Sequence, residues 1–400
     1  MVSNLNHLQS VKIKKGHDKR INNGYLWLFS NEIEHPPNEV INGEVVDIIS
    51  PKDIFIGRGF YNRNSLISVR LVTNSKTELL TDLLQCRIRQ ANEFRNKVYS
   101  NRTAYRMVFS ESDLLPGLII DRYNSTYVLQ VNSAGMELLL PSIVDILSRD
   151  FQAKSIFTMS EKSIRQFEGL DCNNTLLFGE QCSETIEVAN IKYSIDFITG
   201  QKTGFFFDQA ENRPYLDKLS KDCTVFDGFC NSGGFGLHAI KNGARQVVFA
   251  DISQQQIDAA AGNIRLNGLK ETNAEYFTDD VFDLLEKFNN DGRLFDIVII
   301  DPPAFTKSKS KVQTALKGYE RLHRLAIQAL KQGGILVTTS CSHHVNEIEY
   351  QQAIQRAATR TGSILQLIHQ AGAAPDHPKL GSMDETAYLK FLVYRKAYLS

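Results

Sequence analysis

Four apolar segments in the second half of the chain continue for four to seven residues without alternating with polar side chains. They are Thr224–Asp227, Gln246–Asp251, Phe295–Asp301 and Gly334–Thr339. Strands that are buried on both faces have this pattern, because helices cover the sheet on each side. Helical stretches separate the segments, for example 253–267 and 314–331. The alternation predicts an α/β domain with a doubly wound parallel sheet.

The first half of the chain has shorter elements. Two β-branched runs, Val45–Ile49 and Ile54–Phe60, surround a turn-like cluster and predict a small β-rich segment. A helical pattern over Thr81–Tyr99 and a hairpin around Asn124 then predict a mixed segment. A length of 400 residues fits two or three domains. We place them at 1–72, 73–187 and 188–400.

Composition excludes several classes of protein. The chain is 42% hydrophobic and 22% charged, with no net charge, which is ordinary for a globular protein. No apolar run approaches the ~18 residues that a membrane span needs, and the first residues lack the apolar core of a signal peptide. The six cysteines are scattered without a CxxC pair, which argues against disulfides and structural zinc. We expect a cytoplasmic protein with no membrane partner and no metal.

A glycine-rich segment, DGFCNSGGFG at 227–236, follows the first buried strand and precedes a helix expected near Leu237. Glycines let the backbone turn tightly and approach a ligand where a Cβ would collide. Taken alone, the segment fits a structural turn as well as a binding turn. Its candidate ligand contacts are Asp227, Phe229, Cys230 and Gly233.

Acidic residues follow the next strands in order. Asp251, with Ser253 beside it, is placed to accept hydrogen bonds from ribose hydroxyls. Asp280 can accept an adenine amino hydrogen while Val281 lies against the ring, and Asp301 begins the turn DPPAF. The carboxyl ends of parallel strands share one edge, so four such acids indicate a nucleoside site. A P-loop lysine and strict GxGxxG spacing are absent, which disfavours nucleoside triphosphates and NAD.

Cys341 follows the buried strand 334–339, and two interpretations stay open. A single cysteine is often a packed core thiol. Alternatively, a thiolate at the ligand edge can add to carbon 6 of cytosine, which makes carbon 5 nucleophilic enough to accept a methyl group. Asp301 would then hold the amino edge and ring nitrogen of the base.

These motifs together resemble the three-domain cytosine-5 methyltransferases of bacterial 23S rRNA, a class I family that uses S-adenosylmethionine. The resemblance covers essentially the whole chain. Its most specific part is TGQKTGFFFDQ at 199–209, followed by Glu211-Asn212-Arg213. Further matches are 227–236, Asn267-Gly268-Leu269, DPPAF at 301–305, Lys317-Gly318-Tyr319 and SCS at 340–342.

The resemblance implies a fold and a function for each segment. Residues 1–72 would be a β-barrel PUA domain that binds RNA through Lys14, Lys15 and Arg20, and 73–187 a central α/β connecting domain. Residues 188–400 would be a Rossmann-like methyltransferase domain. There Asp227, Asp251 and Asp280 would hold S-adenosylmethionine, Cys341 would be the nucleophile and Asp301 would orient the base. Lys202 and Arg213 would bind the methionine carboxylate of the cofactor or an RNA phosphate. Phe207 would give the cofactor apolar cover, or else the phenylalanines of this segment pack in a core strand. The expected partner is 23S rRNA or a large-subunit particle, and a homodimer is kept as a candidate assembly.

One departure keeps alternatives open. Better-understood cytosine-5 RNA methyltransferases have a second cysteine directly after the proline of the fourth-strand turn, where this chain has Ala304. An Asp-Pro-Pro turn also resembles enzymes that methylate an exocyclic amine of guanine or adenine without a covalent intermediate. A third alternative is a non-catalytic RNA-binding assembly factor, which the intact series of acids disfavours.

Overall fold

The structure is a computed structural model that describes residues 8–37, 39–76, 80–172, 174–198, 205–306 and 308–398. Two units divide the chain. Unit 1 comprises Met1–Ile186, Ile195–Phe207 and Pro375–Thr386, and unit 2 comprises Glu187–Ser194, Asp208–Ala374 and Ala387–Ser400. Within the described ranges, no helix is long and apolar enough to cross a membrane.

Unit 1 contains two five-stranded sheets, ordered β1-β3-β4-β5-β2 and β10-β9-β8-β7-β6. The hairpin expected around Asn124 forms between β7 and β8, with Asn124 at φ 55°. The elements are β1 Ser10–Lys12, α1 Asp18–Asn22, β2 Trp27–Phe29, β3 Val45–Ile49, β4 Phe55–Tyr61, β5 Ile67–Thr73, α2 Leu80–Val98, β6 Ala104–Phe109, β7 Leu118–Tyr123, β8 Thr126–Val131, α3 Ala134–Leu138, α4 Leu140–Asp150, β9 Ser155–Thr158, α5 Lys162–Phe167 and β10 Thr175–Gly179.

A segment from late in the chain completes the interior of unit 1. Met383 is fully buried in the apolar core of the first sheet, together with Val11 and Ile13. The buried Asp376 accepts a hydrogen bond from the backbone N–H of Arg106 (2.9 Å), and its carbonyl accepts one from the guanidinium of Arg95 (2.7 Å). Residues 375–386 are therefore structural parts of unit 1.

Unit 2 contains a seven-stranded sheet ordered β15-β14-β13-β16-β17-β19-β18. The hairpin of β11 and β12 precedes this sheet in the sequence, and its residues are divided between the two units. Four of the strands are the apolar segments identified in the sequence. The elements are β11 Ser183–Val188, β12 Ile191–Asp196, β13 Thr224–Gly228, α6 Gly234–Lys241, β14 Gln246–Asp251, α7 Gln254–Leu266, β15 Ala274–Thr278, α8 Val281–Asn290, β16 Phe295–Ile300, α9 Val312–Gln328, β17 Leu330–Ser340, α10 Glu347–Arg360, β18 Leu365–Ala371 and β19 Lys390–Lys396.

The sheet of unit 2 is mixed rather than wholly parallel. Strands β13 to β17 are parallel, whereas β19 pairs antiparallel with both β17 and β18. The strand order reverses at β13, whose neighbours are β14 on one side and β16 on the other. In doubly wound sheets, ligands bind at the carboxyl ends of the strands beside such a reversal.

Candidate active site

The carboxyl edge of the unit 2 sheet gathers the acids and the cysteine that the sequence singled out. Asp227 lies near the end of β13, and Asp251 ends β14. Asp280, Asp301 and Cys341 follow β15, β16 and β17. Five neighbouring strands thus place one polar or nucleophilic side chain each at the same edge.

The glycine-rich turn has an unusual backbone. Phe229 has φ 61°, Asn231 49° and Gly233 83°, so three of five consecutive residues are left-handed. A positive φ is costly for a bulky residue such as phenylalanine and is typical of functional turns. Helix α6 begins directly afterwards at Gly234, three residues before the position expected from the sequence.

Asp227 is 1% exposed. Its Oδ2 accepts a hydrogen bond from the backbone N–H of Gly236 (2.8 Å), whereas Oδ1 is buried without a partner among the described residues. Burial, with smaller contributions from the charges of Asp301 and Asp251, raises the pKa of Asp227 to about 7. A buried carboxylate oxygen without a partner fits a ligand that brings positive charge or a hydrogen-bond donor.

Arg213 is the predicted cofactor residue that lies against this turn. A Cβ built on Gly234 would come within 2.5 Å of its Nε, so any other residue at that position would displace the Arg213 side chain. The guanidinium lowers the pKa of both Asp227 and Asp301, although burial outweighs this effect at each carboxyl. Arg213 therefore lies within electrostatic range of both acids.

Asp251 organises the turn from the next strand. Its Oδ2 accepts a hydrogen bond from the backbone N–H of Asn231 and its Oδ1 from that of Ser253, each at 3.0 Å. Each oxygen keeps a second lone pair for a ligand hydroxyl. Ile252, which the sequence analysis missed, is 74% exposed beside this acid and offers an apolar surface. The sequence signal for this apolar surface was the position of Ile252 directly after Asp251, the acid that ends β14.

Three predicted cofactor residues already have structural roles. Asp280 caps α8 and accepts hydrogen bonds from the backbone N–H groups of Phe282 (2.7 Å) and Asp283 (3.4 Å). Val281 is 2% exposed and packs in the apolar core. Cys230 is 5% exposed, and burial raises the pKa of its thiol well above the usual value. Their expected cofactor contacts remain predictions.

Asp301 is half-buried and held by two neighbours that the sequence analysis did not assign. Its Oδ1 accepts hydrogen bonds from the hydroxyl of Thr339 and from Nε2 of Gln209, the latter at 3.1 Å. Asn212 in turn donates to Oε1 of Gln209 at 2.7 Å. Burial raises the pKa of Asp301 to about 6. A carboxyl that titrates near neutrality can accept a hydrogen bond or donate a proton to a bound base.

Cys341 is half-buried, with its Sγ 4.0 Å from the carbonyl oxygen of Pro302. Tyr319 of α9 holds the turn around Cys341 in place, because its hydroxyl forms hydrogen bonds with the hydroxyls of Ser340 and Ser342 at 2.9 Å each. The ring of Phe305 stacks on that of Tyr319 with a centroid distance of 4.4 Å. The DPPAF and SCS turns thus share one buried support.

Removing the Tyr319 hydroxyl tests this support. In Tyr319→Phe, the hydroxyls of Ser340 and Ser342 lose a buried partner, so we expect the free energy of unfolding to fall by about 1–3 kcal/mol. Urea unfolding measures the loss. Tyr276→Phe is the control, because its buried hydroxyl has no partner among the described residues. Equal stability of both variants would contradict the supporting role.

Asp208 is a further acid of unit 2 that the sequence analysis left without a role. Its Oδ2 accepts a hydrogen bond from the hydroxyl of Tyr388 at 2.7 Å, and Oδ1 is buried without a partner in the described structure. The ring of Tyr388 stacks on His343 at 5.0 Å, and His343 is two residues after Cys341. The charge of Asp208 also raises the pKa of Asp301.

Other predicted residues lie elsewhere. Lys202 is outside the described residues. Phe207 belongs to unit 1, where its ring is 1% exposed and packs on Tyr123 and Phe205 at 5.2 and 5.1 Å. Its contact with the cofactor remains a prediction.

The three predicted RNA contacts lie in the first sheet region of unit 1. Lys15 is exposed, and Lys14 donates to the carbonyl of Asn31 at 2.9 Å. Nη2 of Arg20 donates to both carboxylate oxygens of Glu32 (2.6 and 2.8 Å), so the charge of Arg20 is already compensated. All three roles remain predictions.

Two family models match the chain. Residues 11–74 match a PUA-like domain, and residues 168–395 match an S-adenosylmethionine-dependent methyltransferase. The sequence is 37% identical to the ribosomal RNA large subunit methyltransferase I of Photobacterium profundum, over 97% of this chain and 99% of that one. The protein of the same name from Aeromonas hydrophila is 36% identical, with 96% and 99% covered.

Solved structures give the same fold. A candidate S-adenosylmethionine-dependent methyltransferase from Streptococcus mutans superposes with a TM-score of 0.83 over 97% of this chain and all of that one, at 19% identity. A second structure, of a candidate methyltransferase complexed with SAH, also gives 0.83, over 97% of this chain and 99% of that one, at 20% identity. The expected combination of an N-terminal PUA-like domain and a class I methyltransferase fold is confirmed.

Proposed function

The chain belongs to the S-adenosylmethionine-dependent methyltransferases, in the family of ribosomal RNA large subunit methyltransferase I, and from this premise we propose that it methylates carbon 5 of a cytosine in 23S rRNA. The family gives the rRNA methyltransferase activity and the cofactor. The choice of cytosine and of its carbon 5 rests on the residues of this chain.

One observation carries that choice. The thiol of Cys341 lies beside the Asp301-Pro302 turn, at the sheet edge where the glycine-rich turn also ends. Methylation of an exocyclic amine needs the Asp-Pro-Pro turn but no thiol. A cysteine fixed at this position by the Tyr319 hydroxyl therefore supports cytosine chemistry.

The residues around the glycine-rich turn fit the cofactor. Asp227 would take a positively charged group on its unpartnered oxygen, and Asp251 would accept hydrogen bonds from the ribose. Arg213, within electrostatic range of Asp227 and Asp301, would pair with a carboxylate of the cofactor. S-adenosylmethionine supplies an electrophilic methyl group from its sulfonium centre.

The base would be activated by Cys341 and Asp301. The thiolate adds to carbon 6 of cytosine while Asp301, with a pKa of about 6, holds the amino group and shares a proton with the ring nitrogen. After carbon 5 is methylated, loss of its proton expels the thiolate. Ala304 cannot assist this release, so another group accepts the proton. Asp208, with its buried unpartnered oxygen, is our candidate acceptor.

The other parts of the chain would deliver RNA. We assign residues 1–72 to RNA binding through Lys14, Lys15 and Arg20, and 73–187 to the connection with the catalytic domain 188–400. The target cytosine must leave its stack to reach Cys341, which costs a few kcal/mol and favours exposed loops or partly assembled particles. We place this activity in the cytoplasm and keep a homodimer as the candidate assembly.

Nucleoside analysis tests the proposal directly. An unmodified 23S rRNA transcript and purified large-subunit particles are each incubated with the protein and methyl-labelled S-adenosylmethionine, digested and separated. We expect the label in 5-methylcytidine. Label in a methylated amine would overturn the assignment of cytosine as the target and leave the proposed cofactor site intact. Absence of label from both the transcript and the particles would overturn the assignment of RNA as the substrate.

The affinity for S-adenosylmethionine is expected to depend on pH. Protonated Asp227 cannot hold a positive charge, and its pKa in the cofactor-free protein is about 7. Affinity should therefore rise between pH 6 and 8, approaching about tenfold per unit below that pKa. Calorimetry in buffers of different ionisation enthalpy should also detect proton release on binding near pH 7. A flat profile would contradict the role of Asp227.

A further inference from the structure

The motif Lys317-Gly318-Tyr319 is only partly explained by the active site. Tyr319 supports the cysteine turn, and Gly318 accommodates the ring of Phe305, whose nearest atom would lie 3.2 Å from an added Cβ. Lys317 contributes to neither contact. It projects from α9 into a solvent-open cleft of about 510 Å³, which Glu320, Arg321, Arg324 and Arg360 also line.

The cleft concentrates positive charge on a chain that has no net charge. Four of its five lining residues are cations and one is an acid. Lys317 and Arg324 form no ion pair within the described residues, whereas Arg321 pairs with Glu286 at 2.9 Å. A local excess of this kind on a neutral protein attracts polyanions at one place rather than over the whole surface.

The acid in the cleft positions arginines and does not simply cancel their charge. Glu320 is 8% exposed, and its two oxygens pair with Arg356 and Arg360 of α10 at 2.9 Å each. Each guanidinium has five N–H donors, so most donors stay available after one ion pair. The two side chains remain about half exposed or more (47% and 66%). Arg360 therefore brings preorganised donors to the cleft, and Arg356 shares the same acid.

The cations also follow the helix axis. Lys317, Arg321 and Arg324 recur at the three- and four-residue spacing of one helix face and span about 10 Å at ~1.5 Å per residue. Before α9, the exposed Lys309 and Lys311 lie in the segment that follows the DPPAF turn. Along the sequence, exposed cations thus recur from the DPPAF turn to the helix, which suits a chain of phosphates better than a single anion.

We propose that this cleft on α9 and α10 binds the phosphate backbone of the RNA strand that carries the target base. The proposal rests on the proposed function, because it assumes an RNA substrate. It makes the catalytic unit itself a second RNA-binding surface, in addition to the expected PUA domain. It also explains why a lysine precedes the glycine and tyrosine of the motif.

The test is the salt dependence of RNA binding. Lys317→Gln, Arg321→Gln and Arg324→Gln are combined in one variant, and filter binding to an unmodified 23S rRNA transcript is measured over a salt series. Each lost phosphate contact lowers the slope of log K against log salt by about 0.7–0.9, so we expect a decrease of about 2 and at least roughly tenfold weaker binding. Affinity for S-adenosylmethionine should stay unchanged.

A matched variant controls for total charge. Lys221→Gln, Lys241→Gln and Arg245→Gln remove the same charge near the amino ends of β13 and β14, and should leave the slope unchanged. Equal slopes for wild type and the cleft variant would overturn the proposal, as would an equal loss in the control. If inorganic phosphate raises the Tm of the wild type but not of the cleft variant while RNA binding is equal, the cleft binds a small anion instead.

The outcome is distinguishable from failure of the proposed function. If the transcript binds as expected but label enters an amine, only the cytosine assignment is wrong. If the wild type binds neither the transcript nor large-subunit particles, both the cleft proposal and the assignment of RNA as the substrate are overturned.

Discussion

Replacing Cys341 with alanine should lower the rate of 5-methylcytidine formation at least roughly a thousandfold while leaving the affinity for S-adenosylmethionine unchanged. Without a thiolate at carbon 6, carbon 5 of cytosine is too weak a nucleophile to accept the methyl group. The variant therefore loses methyl transfer almost entirely. The side chain is half-buried, with its Sγ beside the carbonyl oxygen of Pro302. Single-turnover methylation with nucleoside analysis measures the rate.

A second readout separates the thiol from a general loss of activity. RNA that contains 5-fluorocytidine carries no proton at carbon 5, so the covalent adduct cannot be resolved after methylation. The wild type should form a complex with this RNA that survives denaturation, and Cys341→Ala should not. Cys223→Ala is the control, because Cys223 is half-buried in the same unit and precedes β13 at the opposite edge. Retained activity in Cys341→Ala would return its thiol to a packing role.

Asp227→Asn should abolish measurable S-adenosylmethionine binding and at the same time stabilise the cofactor-free protein above pH 7. The folded-state pKa of Asp227 is about 7, above the ordinary value of 3.8, so the folded state binds the proton more tightly. Stability therefore falls as pH rises from about 4 to 7, by an amount on the order of 4 kcal/mol at most. Asparagine keeps the acceptor for the N–H of Gly236 and carries no charge.

Thermal unfolding at pH 5 and pH 8 tests this trade of stability for binding. We expect the Tm of Asp227→Asn to exceed that of the wild type by several degrees at pH 8 and by less at pH 5. Asp296→Asn is the matched control on β16, because Lys331 and Thr224 hold the pKa of Asp296 below its ordinary value. That variant should be destabilised at pH 8. A lower Tm for Asp227→Asn at pH 8 would show that its carboxylate stabilises the fold.

The edge of the sheet could be predicted from the sequence because it depends on local pattern. Buried parallel strands read as continuous apolar runs, and an acid at the end of each run must lie at the same edge. The partners of these acids could not be predicted in this way. Gln209 reaches Asp301 across 92 positions of sequence, and only the folded chain brings them together.

The direction of one strand and the compensation of one charge also could not be predicted from the sequence. The apolar pattern of β19 fits either direction, so the antiparallel edge of the sheet was not predicted. Arg20 counts as a cation in the sequence, but Glu32 compensates its charge in the structure. Asp280 likewise resembles a ligand contact in the sequence while it caps α8. Such roles depend on which partners the folded chain places beside the side chain.

The contribution of residues 375–386 to unit 1 constrains how this protein is made. During synthesis, the amino-terminal sheets emerge from the ribosome long before Asp376 and Met383 have been added to the chain. Until then, the core of the first sheet lacks the fully buried side chain of Met383, and the backbone N–H of Arg106 lacks the carboxylate of Asp376 as its partner. Cotranslational folding of unit 1 therefore cannot finish before residues 375–386 have emerged from the ribosome. We expect nascent unit 1 to need protection by chaperones for longer than a contiguous domain of the same size.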